Sequence, residues 1–163
     1  MKANAQDAET KVLEAPQDHK DELRLWLRLL TCSTLVEGEI RRRLRDQFDT
    51  TLPRFDFLAQ LERSPDGMTL GDMSRRMMVS NGNVTAVAEP LLLAGLIERT
   101  PMPRDRRVQI VKLTAAGRAE FAKMASEHEA WIAGLFAGLE AAEIGELLRL
   151  LAKLKASVLE AKA

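Results

Sequence analysis

Tyrosine is absent from this chain of 163 residues, cysteine occurs once, at Cys32, and histidine twice, at His19 and His128. A single cysteine excludes an internal disulfide framework and suits a reducing compartment, so a cytoplasmic setting is expected. Three such residues, scattered, give no metal-ligand spacing. There is also no nucleophile elbow and no phosphate-cradling glycine loop, so neither an enzyme, a metal centre nor a bound cofactor is expected. No apolar run reaches the roughly 18 residues that a membrane-spanning helix needs, and no membrane partner is expected. The first 18 residues mix Lys, Asp and Glu, lack the apolar core of a signal peptide, and read as a mobile tail. Excess charge is missing too, because 24 basic residues balance 24 acidic ones. The balance is not local. Residues 1–22 carry three lysines against six carboxylates, whereas residues 75–112 carry seven Lys and Arg against three. A locally basic face counts for more in phosphate binding than the chain total.

Periodicity predicts six helices and a hairpin. A long first helix is expected from about Asp21 to Phe48, with one row at Trp26, Leu30, Ser33 and Glu37 and another at Leu25, Leu29, Cys32, Val36, Ile40 and Leu44. Pro53 suits the first turn of a second helix that carries Phe55 to Arg63, and Ser64-Pro65-Asp66-Gly67 is a turn. Thr69 caps a third helix, Leu70 to Met77, with Asp72 placed for a capping box. Ser80 caps a fourth, whose inward row is Val84, Val87 and Leu91 and which Gly95 terminates. Leu96 to Met102 and Arg107 to Leu113 alternate as two strands of a hairpin. Thr114 caps a fifth helix reaching about Gly138, and a sixth runs from about Ala141 to Leu159. The fold class is therefore mainly α with a small β-hairpin wing. A tail over residues 1–18 precedes one domain over 19–163, with a winged lobe at about 52–113 and outer helices at about 19–48 and 115–161. The outer helices have apolar stripes that a lone monomer leaves exposed, so they read as dimerisation helices. Gly134 and Gly138 would permit close helix approach there, or simply weaken the fifth helix.

A short helix opening on small polar side chains, followed by a hairpin with a basic tip, suits duplex DNA. Asn81, Asn83 and Thr85 are placed to meet base edges, an Asn being able to bond adenine twice, and Ser80 and Thr85 can bond phosphate. At the hairpin tip, Arg104, Arg106 and Arg107 suit a narrow minor groove, and Asp105 is expected to orient Arg107. Each of these features also has a plain reading as solvated polar surface. A winged module that binds protein instead of DNA is the other class, and the salt dependence of binding would separate the two.

The fragments Leu70-Gly-Asp-Met-Ser-Arg-Arg, Val79-Ser80, Val84-Thr85, Gly95-Leu-Ile-Glu-Arg, Asp105-x-Arg107 and Leu113-Thr-x-x-Gly117 occur in this order over about 50 residues. The chain thereby resembles the MarR family of transcriptional regulators. The resemblance implies a homodimer on a pseudo-palindromic operator, a repressor released by a small-molecule effector. Two positions depart from the family pattern. Ala86 stands where an arginine is common, and Pro90 lies inside the fourth helix, where it removes a backbone bond and is expected to kink it.

The resemblance implies an effector site between the outer helices and the winged lobe, where Arg41, Arg42 and Arg43 are candidate anion binders and Phe55, Phe57, His128 and Trp131 candidate walls. Such a set suits an aromatic carboxylate or its coenzyme A thioester. The segments Leu35 to Arg45 and Leu52 to Leu58 also resemble regulators of aromatic-acid catabolism. The arginines equally suit a solvated face, and His128 and Trp131 equally suit a core. Cys32 offers a redox-sensing alternative. With no tyrosine to bond the thiol, packing inside the protein is the expected role.

Overall fold

The computed structural model describes residues 21–102 and 105–161, and of Arg106 and Arg107 it describes the backbone. The expected tail over residues 1–18 and the tip residue Arg104 lie outside the described residues. The chain divides into two compact units, Met1–Glu127 and His128–Ala163. The division falls within one helix.

The first unit opens with α1, Asp21–Phe48, whose buried residues are Thr31, Ile40 and Leu44. Of the second of the two expected rows, Leu25 and Cys32 are exposed. Packing of Cys32 is thus corrected: burial follows the row through Thr31, and the amino-terminal half of α1 turns most of its leucines outward. The helix ends at Asp49, in the left-handed region at φ 47°. There the N–H groups of Asp49 and Thr50 donate to the carbonyls of Arg45 and Leu44. An aspartate tolerates this conformation better than most side chains.

Helix α2, Leu52–Glu62, has its proline in the first turn and buries Phe55, Phe57, Leu58 and Leu61. In the turn that follows, Gly67 adopts φ +80°, and a Cβ there would lie 2.5 Å from the Val111 carbonyl oxygen. Glycine is needed for both reasons. It delivers the chain into β1, Met68–Thr69, which pairs antiparallel with the later strand β3, Asp105–Leu113. The expected two-stranded hairpin is therefore a three-stranded sheet of order β1-β3-β2, with β2 at Ile97–Met102. Two residues are too few to show a period of two, but they satisfy one edge of β3. Pro101 sits in β2, an edge strand, where a missing N–H breaks no ladder bond. The register shifts at Pro101/Met102, so Met102 faces Asp105 and β3 begins two residues earlier than alternation suggests.

Between β1 and β2 lie α3, Leu70–Met77, and α4, Asn81–Leu93. Met73, Val84 and Val111 are fully buried with Leu44, Phe57, Leu58 and Leu61, and these side chains form the core of the unit. Helix α5, Ala115–Leu135, begins at Thr114, whose hydroxyl donates to the Gly95 carbonyl at 2.7 Å and accepts from the Gly117 N–H at 3.0 Å. Gly117 presses on β2's lead-in so closely that a Cβ would lie 1.8 Å from the Leu96 carbonyl oxygen.

In the second unit α5 ends at Leu135, three residues short of the expected Gly138, which lies in a turn. Helix α6, Ala141–Glu160, starts with a capping box in which the Glu140 N–H donates to Glu143 at 2.8 Å. It buries none of its residues. Among the described residues no helix is long and apolar enough to cross a membrane.

Candidate nucleic-acid interface

Helices α3 and α4 form the helix-turn-helix, and local hydrogen bonds fix the angle between them. Thr69 accepts from the Asp72 N–H at 3.0 Å, and its own hydroxyl donates to the Asp72 carboxylate at 2.7 Å. Thr69 thus caps α3 as expected, with the Asp72 carboxylate held at the same residue. The Thr69 hydroxyl, and then the Arg75 guanidinium, hold Asp72 below the usual carboxylate range. At the other end of α3, Met78 takes the left-handed conformation at φ 54° and is 92% exposed. Ser74 closes the turn by donating to the Val79 carbonyl at 2.6 Å.

Ser80 caps α4 by accepting from the Asn83 N–H at 3.3 Å, so its hydroxyl proton stays available. Thr85 differs. Its hydroxyl donates to the Asn81 carbonyl at 3.0 Å, which leaves only acceptor capacity and weakens its expected role as a phosphate donor. Val84, Ala88 and Leu91 face inward, leaving Asn81, Gly82, Asn83, Thr85 and Ala86 on the exposed face. Helix α4 continues through Pro90 to Leu93. All the expected base readers lie at least one turn before the proline, so its missing N–H falls near the far end. No lysine or arginine occurs in α4. Its one acid, Glu89, is paired with Arg99 of β2 at 2.8 Å.

The wing is the β2–β3 hairpin. Asp105 is exposed at the start of β3, and the backbones of Arg106 and Arg107 continue that strand. The expected Asp105–Arg107 contact involves a side chain outside those described.

The residues expected to hold an effector belong to both units, Arg41, Arg42, Arg43, Phe55 and Phe57 to the first and His128 and Trp131 to the second. Arg41 donates to Glu37, Arg42 to Glu39 and Asp46, and Arg43 to Glu39. Hydrogen bonds from Arg42 and Arg43 hold Glu39 down at about 2, and Glu39 in turn raises Arg42. The cluster is a ladder of pairs three and four residues apart, and each guanidinium already carries a carboxylate. The signal for this was the row Glu37, Glu39 and Asp46. Phe57 is fully buried, and Phe55 is buried with its ring centroid 5.5 Å from that of Phe121, so both belong to the core. His128 and Trp131 belong to the second unit, with ring centroids 6.4 Å apart, and Trp131 is buried.

Two hollows of the first unit were not anticipated. One, of about 150 Å³, is lined by Phe48, Arg54, Leu58, Leu91, Leu96 and Met124 among others. The other, of about 440 Å³, opens between α3 and the sheet and has Arg75 and Arg76 in its lining.

A helix-turn-helix followed by a three-stranded sheet with a projecting hairpin defines the winged helix-turn-helix class. The family model for MarR matches residues 50–108. The chain is 33% identical to the transcriptional activatory protein BadR of Rhodopseudomonas palustris over 105 residues, which cover 62% of this chain and 59% of BadR. The match thus spans little more than half of that relative. A MarR family transcriptional regulator from Silicibacter pomeroyi superimposes with a TM-score of 0.75 at 29% identity, covering 88% of this chain and 99% of that one. A mutant MarR from E. coli, complexed with operator DNA, gives a TM-score of 0.72 at 25% identity, covering 85% and 99%. Over residues 50–108 the chain is thus similar to the MarR family, and its fold is that of MarR-family winged helix-turn-helix transcriptional regulators.

Proposed function

We propose that the chain binds operator DNA as a homodimer, with α4 in the major groove and the β2–β3 wing in the adjacent minor groove. The observation that carries the reading is the exposed pair Asn81 and Asn83 at the capped start of α4, beside a hairpin whose tip sequence is Arg104-Asp-Arg-Arg. The operator complex of the E. coli relative supports it. Dimerisation is supported by the exposed leucines of α1 and by α6, which buries nothing within the chain. The test is binding to DNA from upstream of the chain's own coding sequence. Arg107→Ala weakens binding and flattens its salt dependence. Asn81→Ala and Asn83→Ala each relax the preference at one base pair by about 1–3 kcal/mol. Full operator selectivity in both Asn variants would refute the assignment.

We further propose that a small aromatic carboxylate lowers DNA affinity, so that a repressing complex is released. The hollow beside Arg54 supports this better than the arginines of α1. Its wall is largely apolar, with Asp49 and Glu120 also in the lining, it has a guanidinium that no carboxylate pairs among the described residues, and its size suits a single ring. In the thioester alternative, the carrier would have to lie outside it. Release of the protein from its DNA by benzoate-type acids, lost in Arg54→Ala, is the expected result. Unchanged release in that variant places the effector elsewhere.

A further inference from the structure

Helix α4 presents polar side chains to DNA but carries no positive charge of its own. Duplex binding depends on neutralised phosphates, so cations must come from its neighbours. The wing supplies some. The last turn of α3 holds Arg75 and Arg76, both exposed, at the hollow of about 440 Å³ that runs between α3 and the sheet.

The two arginines are not equivalent. Arg75 pairs with Asp72, a carboxylate that the Thr69 hydroxyl and Arg75 itself keep ionised, so its charge is offset. Arg76 donates from Nη1 to the Ser64 hydroxyl at 3.0 Å, a neutral partner across the groove in the turn before β1. Among the described residues no carboxylate pairs with it. That contact orients the guanidinium and uses one of its five N–H donors, leaving the full charge and four donors open. In helix-turn-helix docking, the first helix crosses the DNA backbone beside the groove that the second enters. We infer that Arg76, held by Ser64, is a phosphate anchor of this protein and supplies the cationic contact that α4 lacks. This rests on the DNA-binding reading above.

The experiment measures affinity of the full chain for a mixed-sequence duplex of about 40 base pairs, roughly four helical turns, across a salt series. The logarithmic slope falls by about 0.9 per protomer in Arg76→Ala. Arg76→Lys, which keeps the charge, restores the slope. Arg75→Ala changes it less, and Lys123→Ala, a cation on α5, leaves it as in the parent. Circular dichroism and melting temperature confirm that each variant is folded. If the parent binds with a steep slope and Arg76→Ala matches it, the anchor is refuted and the DNA-binding reading stands. If the parent binds no duplex at low salt, that reading fails first and takes the anchor with it.

Discussion

Gly117 and Met78 are two residues whose conformation costs or protects stability in opposite ways. At Gly117 there is no room for a methyl group, because a Cβ would sit 1.8 Å from the Leu96 carbonyl oxygen, on backbone that Thr114 also clamps. Gly117→Ala is expected to destabilise the protein by about 2 kcal/mol or more, measured by denaturant unfolding, because the clash is with main chain that cannot swing away. At Met78 the side chain touches little and the backbone is left-handed. Met78→Gly should raise stability by up to about 1 kcal/mol, the relief of the left-handed strain less the added freedom of the unfolded chain. A loss of stability would mean that the exposed methionine makes contacts that matter. Glycine at position 117 was legible from the sequence as part of a motif. Its reason, contact with Leu96 twenty-one residues earlier, was not, because no local pattern encodes the distance of approach.

At the scale of the element, α1 is held by its ladder of ion pairs. Glu39 has a folded value near 2, below the ordinary 4.5, so the folded chain takes up this proton later than the unfolded chain. The stabilisation is complete above the unfolded value and declines as pH falls from about 4.5 towards 2. Glu39→Gln should flatten that part of the stability profile, and added salt should shrink it, since the pairs face water. An unchanged profile would show that the pairs are too well screened to matter. The same ladder explains why the arginine run misled a reading for an anion site. Four arginines in five positions advertise charge, and the compensating carboxylates only register once the helix brings residues three and four apart together. Element positions were otherwise readable, since α1, α3 and α4 follow from caps and periodicity. The two-residue β1 was not, because its existence depends on an unpaired edge of β3 far along the chain. Nor was the exposure of Cys32, because two apolar rows on one helix leave open which row faces the core.

For the whole molecule, the proposal requires a partner chain. Helix α6 displays Ile144, Leu147, Leu151, Leu154 and Val158 along one stripe, all at least a third exposed. An apolar stripe of this length on a chain with no net charge favours association. Leu147→Glu combined with Leu151→Glu should shift the protein to monomer in sedimentation equilibrium and weaken duplex binding with it, because two half-sites would no longer be held together. Dimers that persist in this variant would place the interface elsewhere. The residues proposed to face DNA carry the plainest signal in the sequence. Small polar side chains after a serine cap and arginines at a hairpin tip carry their chemistry in the sequence itself. The balancing partners, Asp72 for Arg75 and Glu89 for Arg99, emerged only from the folded geometry.

The most direct measurement is fluorescence anisotropy of a labelled duplex from the chain's own upstream region, titrated with protein at a series of salt concentrations. The account predicts tight binding at low salt, a log–log slope of several units, and a smaller slope in Arg107→Ala. Binding that is indifferent to salt, or absent in dilute buffer, would contradict it.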